Sequence, residues 1–200
     1  MRSEVRAFPA ATATRTGRPG RSRRPGRTRA GCGTRYQDIN RFTADDLIAI
    51  GFLSVRVPAT TTRIVLRDRT TELADLLAQV EPDRDLVDVD QPIDHNWPAW
   101  RLHTALTSIP WIKRTIAGKL LARKRPRLLP IYDRYVAQVT GCEADHWQPL
   151  RRALLADDRA LHHRLLRSRD ALGLPAEVSA LRMLDVICWM EGRDGGKPQS

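Results

Sequence analysis

The chain has 200 residues and a formal net charge of +11, from 34 Lys or Arg against 23 Asp or Glu. At 42% hydrophobic it can build a core, which excludes a protein disordered throughout. No apolar run approaches the roughly 18–20 residues of a membrane span, which argues against an integral helical membrane protein.

The charge is unevenly placed. Residues 1–35 hold ten Arg and one Glu, whereas residues 36–200 hold 24 basic and 22 acidic groups, a balance of only +2. Arg outnumbers Lys 30 to 4, a ratio that GC-rich coding produces without any ligand being involved. The tail 1–35 contains Gly-Arg-Pro-Gly and Arg-Arg-Pro-Gly, sequences that stay flexible because they cannot bury a core. It is expected to be disordered, either as a cationic arm attracted to DNA or RNA phosphates or as a leader without a role. The helical domain is expected over 36–192, with a disordered C-terminus at 193–200.

Cys32, Cys142 and Cys188 are far apart, with no Cys-x-x-Cys pair. That indicates neither a disulfide framework nor a zinc site, and fits a reduced, cytoplasmic protein. No metal site and no cofactor is expected.

In chain order, Thr43 is a good N-cap, followed by Asp45 and Asp46 where a helix dipole favours carboxylates. Leu47, Ile48, Phe52 and Val55 are expected as its buried stripe, with Pro58 as the stop. Ile64 to Leu66 reads as a short strand or a helical turn, and Thr70 to Val80 as a helix carrying Leu73, Leu76, Leu77 and Val80. Residues 81–96 are an acidic connection, expected to be solvated. Pro98 suits the first turn of a helix with Trp100, Leu102, Leu106 and Ile109. Further helices are expected over 112–123 and 132–140, then a pair within 145–172 closed by Gly173 and Pro175. The last, 179–190, is apolar almost all round and is expected to be central, with its Asp185 answering an Arg. The expected fold is all-α.

Phosphate-binding Gly-rich loops, His-Glu-x-x-His and Gly-x-Ser-x-Gly do not occur in the chain. One stretch stands out. Lys113, Arg114, Lys119, Arg123, Lys124, Arg125 and Arg127 put +7 into fifteen residues with no acid, around an inward face of Ile116, Ala117, Leu120 and Leu121. A short basic helix between turns can lay cations and backbone along phosphates, so these seven are the candidate nucleic-acid contacts. A solvated cationic face is the alternative.

This stretch resembles the helix-hairpin-helix DNA glycosylase superfamily. Ile109 and Pro110 match the start of its hairpin, Ile112 the central aliphatic, Ala117 the helical Ala, and Asp133 the Asp that opens the next helix before Val136. The resemblance implies a DNA-directed helical domain in which Asp133 is the catalytic residue, stabilising a cationic sugar as a base leaves. Trp111 and Tyr132 would stack on the flipped base or wedge the gap. The family's two hairpin glycines are replaced here by Trp111 and Lys113, which take left-handed backbone at a cost. Thr115 stands where bifunctional members carry the Schiff-base Lys, so lyase chemistry is not implied.

The chain is also similar to an uncharacterised helical family of actinobacteria. The shared signatures are Arg-Lys-Arg-Pro-Arg-Leu-x-Pro-x-Tyr-Asp at 123–133 and Leu-Asp-Val-x-x-Trp-Met at 184–190. Three readings follow: a degenerate or monofunctional base-excision enzyme, a non-catalytic DNA-binding module, or a helical protein-interaction domain with no nucleic-acid role.

Overall fold

Thr43 opens the first helix, α1 (Ala44–Gly51), through a reciprocal cap in which its hydroxyl accepts from Asp46 N–H and the Asp46 carboxylate accepts from Thr43 N–H. The computed structural model describes residues 39–81, 83–141 and 147–194, so the expected tail 1–35 lies outside it. Among the described residues every regular element is helical and no strand occurs.

After α1 come α2 (Ala59–Arg63), a π-helical turn (Ile64–Asp68) and α3 (Thr70–Gln79). The ambiguous Ile64 to Leu66 stretch is therefore a helical turn, not a strand. A 3-10 turn (Leu86–Asp88) precedes α4 (Pro98–Thr107), α5 (Arg114–Lys124), α6 (Arg134–Thr140), α7 (Trp147–Ala171) and α8 (Ala180–Asp194). Within α7 the backbone breaks at Ala156–Arg159, where Asp157, Asp158 and Arg159 are left-handed, so the expected pair of helices is present. Gly173 closes the second half at φ +65°, with Leu174 N–H bonded back to Arg169 O.

α4 and α5 pack on one another, and α3 lies against α4 and α1 against α5. Leu102, Leu106, Ile109, Ile112, Leu120 and Leu121 are fully buried at the centre of this group. α6 and α7 both pack on α8. Cys188 is a free, buried thiol on that last helix, and Asp185 meets Arg182 as expected. Among the described residues no helix is long and apolar enough to cross a membrane, and no cluster of three metal-ligating side chains occurs.

Three expectations are corrected. Of the stripe expected on α1, Leu47 and Val55 pack partly buried against the core, but the fully buried apolar residue is Ile50, while Ile48 is 60% exposed and Phe52, which lies past the helix end at Gly51, is 84% exposed. The acidic connection is not a solvated loop. Leu86, Val87, Val89 and Ile93 are buried, and its carboxylates pair with arginines across the fold, Asp85 with Arg127 and Asp88 with Arg159. The last helix runs through Asp194 and is not apolar-packed all round, since Val186, Ile187, Trp189 and Met190 are exposed.

Candidate nucleic-acid interface

The link between α4 and α5 is a tight hairpin. Its ends are anchored by buried Ile109 and Ile112, whose N–H groups bond back to Leu106 O and Ile109 O. The Thr61 hydroxyl from α2 donates to Pro110 O at 2.9 Å and fixes the outer bend. Between these anchors Trp111 sits at φ +71° with its side chain 69% exposed. A left-handed conformation costs a non-glycine residue about 1–2 kcal/mol, and nothing is recovered here by burying the ring. Trp111 thus takes a glycine-like backbone, contrary to the steric expectation, whereas Lys113 is extended at φ −99°.

Lys113 is the N-cap of α5 and makes no side-chain capping bond, and the first turn holds no acid. The first-turn N–H groups therefore lack the usual side-chain acceptor, and the dipole favours an anion there. Lys113 is exposed beside this turn. Arg114 is half-buried, its guanidinium 3.9 Å from the centre of the Tyr132 ring. That stacking occupies one face of Tyr132.

The other cations of the run fare differently. Lys119, Lys124 and Arg125 turn inward. Arg125 is 2% exposed and donates to Ile39 O, Leu77 O, Glu81 O, Lys124 O and Asn40 Oδ1. The Lys124 ammonium meets Asp46 Oδ2 at 2.5 Å, with both side chains buried. Arg123 approaches the same carboxylate at 3.5 Å but is half exposed. Arg127, also half exposed, grips Asp85 with two nitrogens. Three of the seven candidates are thus structural, and the accessible charge concentrates at Lys113, Arg114, Arg123 and Arg127.

Asp133 caps α6, its Oδ1 accepting from Tyr135 N–H at 3.0 Å. Its Oδ2 lies 3.7 Å from the Lys119 ammonium, with side-chain exposures of 18% and 7%. Burial pulls the Lys119 pKa down, and the Asp133 carboxylate works against that shift. The same ammonium donates to Leu53 O at 2.7 Å. The segment carrying Asp133 is held between two helices by close approach to glycines. A Cβ on Gly118 of α5 would lie 3.1 Å from Tyr132 Cβ, and one on Gly192 of α8 would lie 2.7 Å from Tyr135 Cβ.

Asp185 of α8 supports this segment from below. Its Oδ2 accepts from Ile131 N–H at 3.4 Å and pairs with Arg182 at 3.0 Å, while its Oδ1 is buried without a hydrogen-bond partner. Burial pushes its pKa up to about 6, against the opposing pull of Arg182 and the Ile131 N–H. The sequence offered one signal for Asp185, a carboxylate on an apolar helix.

Neither a curated protein nor a solved structure matches the chain. Residues 27–192 match a family of unknown function, DUF6308. The match covers most of the chain, including all of α1 to α7 and the part of α8 that holds Asp185 and Gly192. The protein is a member of the DUF6308 family.

Proposed function

We propose that this protein is a DNA-binding helix-hairpin-helix-like module that grips the backbone at the start of α5 and presents Trp111 to a base. One observation carries the reading: an exposed Trp held at φ +71° at the tip of the α4–α5 hairpin. Strain at an exposed aromatic residue has no packing reward, and such strain clusters where a ligand is contacted. The uncapped first turn of α5 supplies N–H donors next to the tip, and Lys113 and Arg114 add charge for phosphate. The N-terminal tail would add sequence-independent attraction.

Binding is favoured over base excision because Asp133 is already engaged on both oxygens, by Tyr135 N–H and Lys119. A catalytic Asp133 would stabilise a cationic sugar, and a duplex bearing a cationic abasic-sugar analogue tests this. An active site binds such a mimic about a hundredfold or more above intact duplex. A preference of that size, lost in Asp133→Asn, establishes the enzyme.

A protein-interaction role without nucleic acid is the second reading, favoured by exposed Val186, Ile187, Trp189 and Met190 on α8. Fluorescence anisotropy with an intact duplex over a salt series separates the two. The DNA reading requires affinity that falls steeply with salt, and a slope reduced by about one for each of Lys113→Ala and Arg114→Ala. Absence of salt-sensitive binding overturns it.

A further inference from the structure

We infer that the groove between α3 and α4 is a small-molecule site for a planar aromatic anion. The inference does not rest on the DNA-binding reading, whose residues lie at the start of α5.

The groove has a volume of about 410 Å³. Small-ligand pockets commonly run from about 300 to 1,000 Å³. Arg101, Thr104, Ala105 and Ser108 line it from one face of α4, at positions i, i+3, i+4 and i+7. Glu72 and Leu76 line it from α3.

The two sides are tied together by Arg69, which also lines the groove. Its Nη1 donates to Ala105 O at 3.0 Å and to Ser108 Oγ at 2.8 Å. Its Nε and Nη2 donate to the two Glu72 oxygens. One side chain thus joins the start of α3 to the C-terminal end of α4. The π-helical turn Ile64–Asp68 ends at this residue, with Arg69 N–H bonded back to Ile64 O. Such turns are rare and recur at functional sites.

Trp100 supplies an aromatic wall, and it is half-buried. Its ring centre lies 4.4 Å from that of fully buried Trp147 and 5.5 Å from that of His103. Neither of those rings lines the groove, so they back the indole from the protein side. His95, exposed and 5.4 Å from Trp100, lines the groove with it. A ring fixed by packing can stack on a flat ligand without first losing side-chain freedom.

Charge selects the class of flat ligand. Among the lining residues Glu72 is the one carboxylate, and Arg69 occupies both of its oxygens. Arg101 is exposed and donates to the amide oxygen of Gln79 at 3.0 Å, but it meets no carboxylate among the described residues. The lining therefore carries one positive charge that no acid offsets. Arg101 follows Trp100 in the chain, and Thr104 stands one helical turn beyond it. An acidic group on the stacked ring can accept from that guanidinium and from the Thr104 hydroxyl. A cationic ring would meet Arg101 with no free carboxylate in return.

The test titrates the full chain, labelled with nitrogen-15, with 1-naphthyl phosphate. The readout is the indole N–H signal of Trp100, identified by its loss in Trp100→Phe. That signal is expected to move, with a Kd of about 1 mM or lower. Arg101→Ala is expected to weaken binding about tenfold, the low end of what a hydrogen bond to a charged group is worth. Arg101 is exposed, so this variant retains the fold. Cyclohexyl phosphate, which has no aromatic ring, and 1-naphthylmethylamine, which is a cation, are each expected to bind about tenfold more weakly or worse.

No movement of the Trp100 signal up to about 10 mM overturns the site. Equal affinity for cyclohexyl phosphate overturns the stacking, and with it the proposed class. Equal affinity for 1-naphthylmethylamine, or an unchanged Kd in Arg101→Ala, overturns the anion. Movement confined to the Trp111 indole signal places the compound at the α4–α5 hairpin, which overturns the groove and leaves the DNA-binding reading standing. Duplex binding that fails while the Trp100 signal still moves overturns that reading and leaves the groove intact.

Discussion

Lys124 and Asp46 form a buried ion pair that joins the last turn of α5 to the first turn of α1, with Nζ 2.5 Å from Oδ2. The Asp46 carboxylate also accepts from Thr43 N–H and the Thr43 hydroxyl, so one oxygen serves both the helix cap and the interhelical contact. A cation from the most basic run in the domain is thereby a structural element.

Removing Lys124 leaves Asp46 buried without its partner. Breaking one side of such a pair costs about 3–5 kcal/mol, and Arg123, at 3.5 Å, offsets part of this. Lys124→Ala is expected to lower unfolding free energy in urea by about 3 kcal/mol. A change under about 1 kcal/mol would mean that water or Arg123 satisfies the carboxylate fully.

Trp111 separates stability from binding. Trp111→Gly relieves the left-handed strain, worth about 1–2 kcal/mol, and gives back part of it through greater freedom of the unfolded chain. Thermal unfolding is expected to show a net gain of about 0.5 kcal/mol, while DNA affinity falls. Trp111→Ala is expected to lose affinity without the gain. Equal stability of the two variants would contradict the account of strain.

Gly192 permits the close approach of α8 to Tyr135. The Cβ of Gly192→Ala would meet Tyr135 Cβ at 2.7 Å, and Tyr135 is fixed by its N–H bond to Asp133. Overpacking of this kind costs about 1–3 kcal/mol. Gly118→Ala, at 3.1 Å from Tyr132 Cβ, is expected to cost less. Chemical denaturation of both variants measures the order, and its reversal would place the tighter restraint on the α5 side.

Asp185 makes stability depend on pH in an uncommon direction. Its pKa of about 6 in the fold lies above its ordinary value of 3.8, so the native state holds the proton more tightly than the unfolded chain does. Its contribution is fully present below about pH 3.8 and is lost as pH rises through 6. The total is on the order of 3 kcal/mol. Asp185→Asn does not titrate, so its stability relative to wild type is expected to improve between pH 4 and pH 7. A constant difference across that range would show that Arg182 keeps Asp185 ionised throughout.

Local chemistry made much of this architecture legible. Thr43, Asp45 and Asp46 announced α1, Pro98 announced α4, and Gly173 the end of α7, because caps and breakers act over a few residues. The fate of the basic run could not be read the same way. Its density is a one-dimensional property, whereas the groups that receive Lys119, Lys124 and Arg125 include Asp133, Asp46 and the carbonyls of Ile39, Leu77 and Glu81. Most of these come from other parts of the chain and meet the cations only in the folded state. Phe52 was misplaced by periodicity, which continued a stripe past the helix end at Gly51. At Trp111 the usual steric preference pointed away from the observed backbone, and a functional contact is where such a preference is expected to fail.

Arg125 carries a consequence for the lifetime of the fold. Its guanidinium joins Ile39 and Asn40, at the start of the described chain, to Leu77 and Glu81 around the end of α3. Two of those partners are 86 and 85 positions away in sequence, so closing these contacts carries a large loop-closure cost. Contacts so distant are expected to form late in folding. Arg125→Lys is then expected to accelerate unfolding in stopped-flow measurements while leaving the folding rate nearly unchanged, the behaviour of a latch on kinetic persistence, and a slowed folding rate would place the contact in the transition state instead.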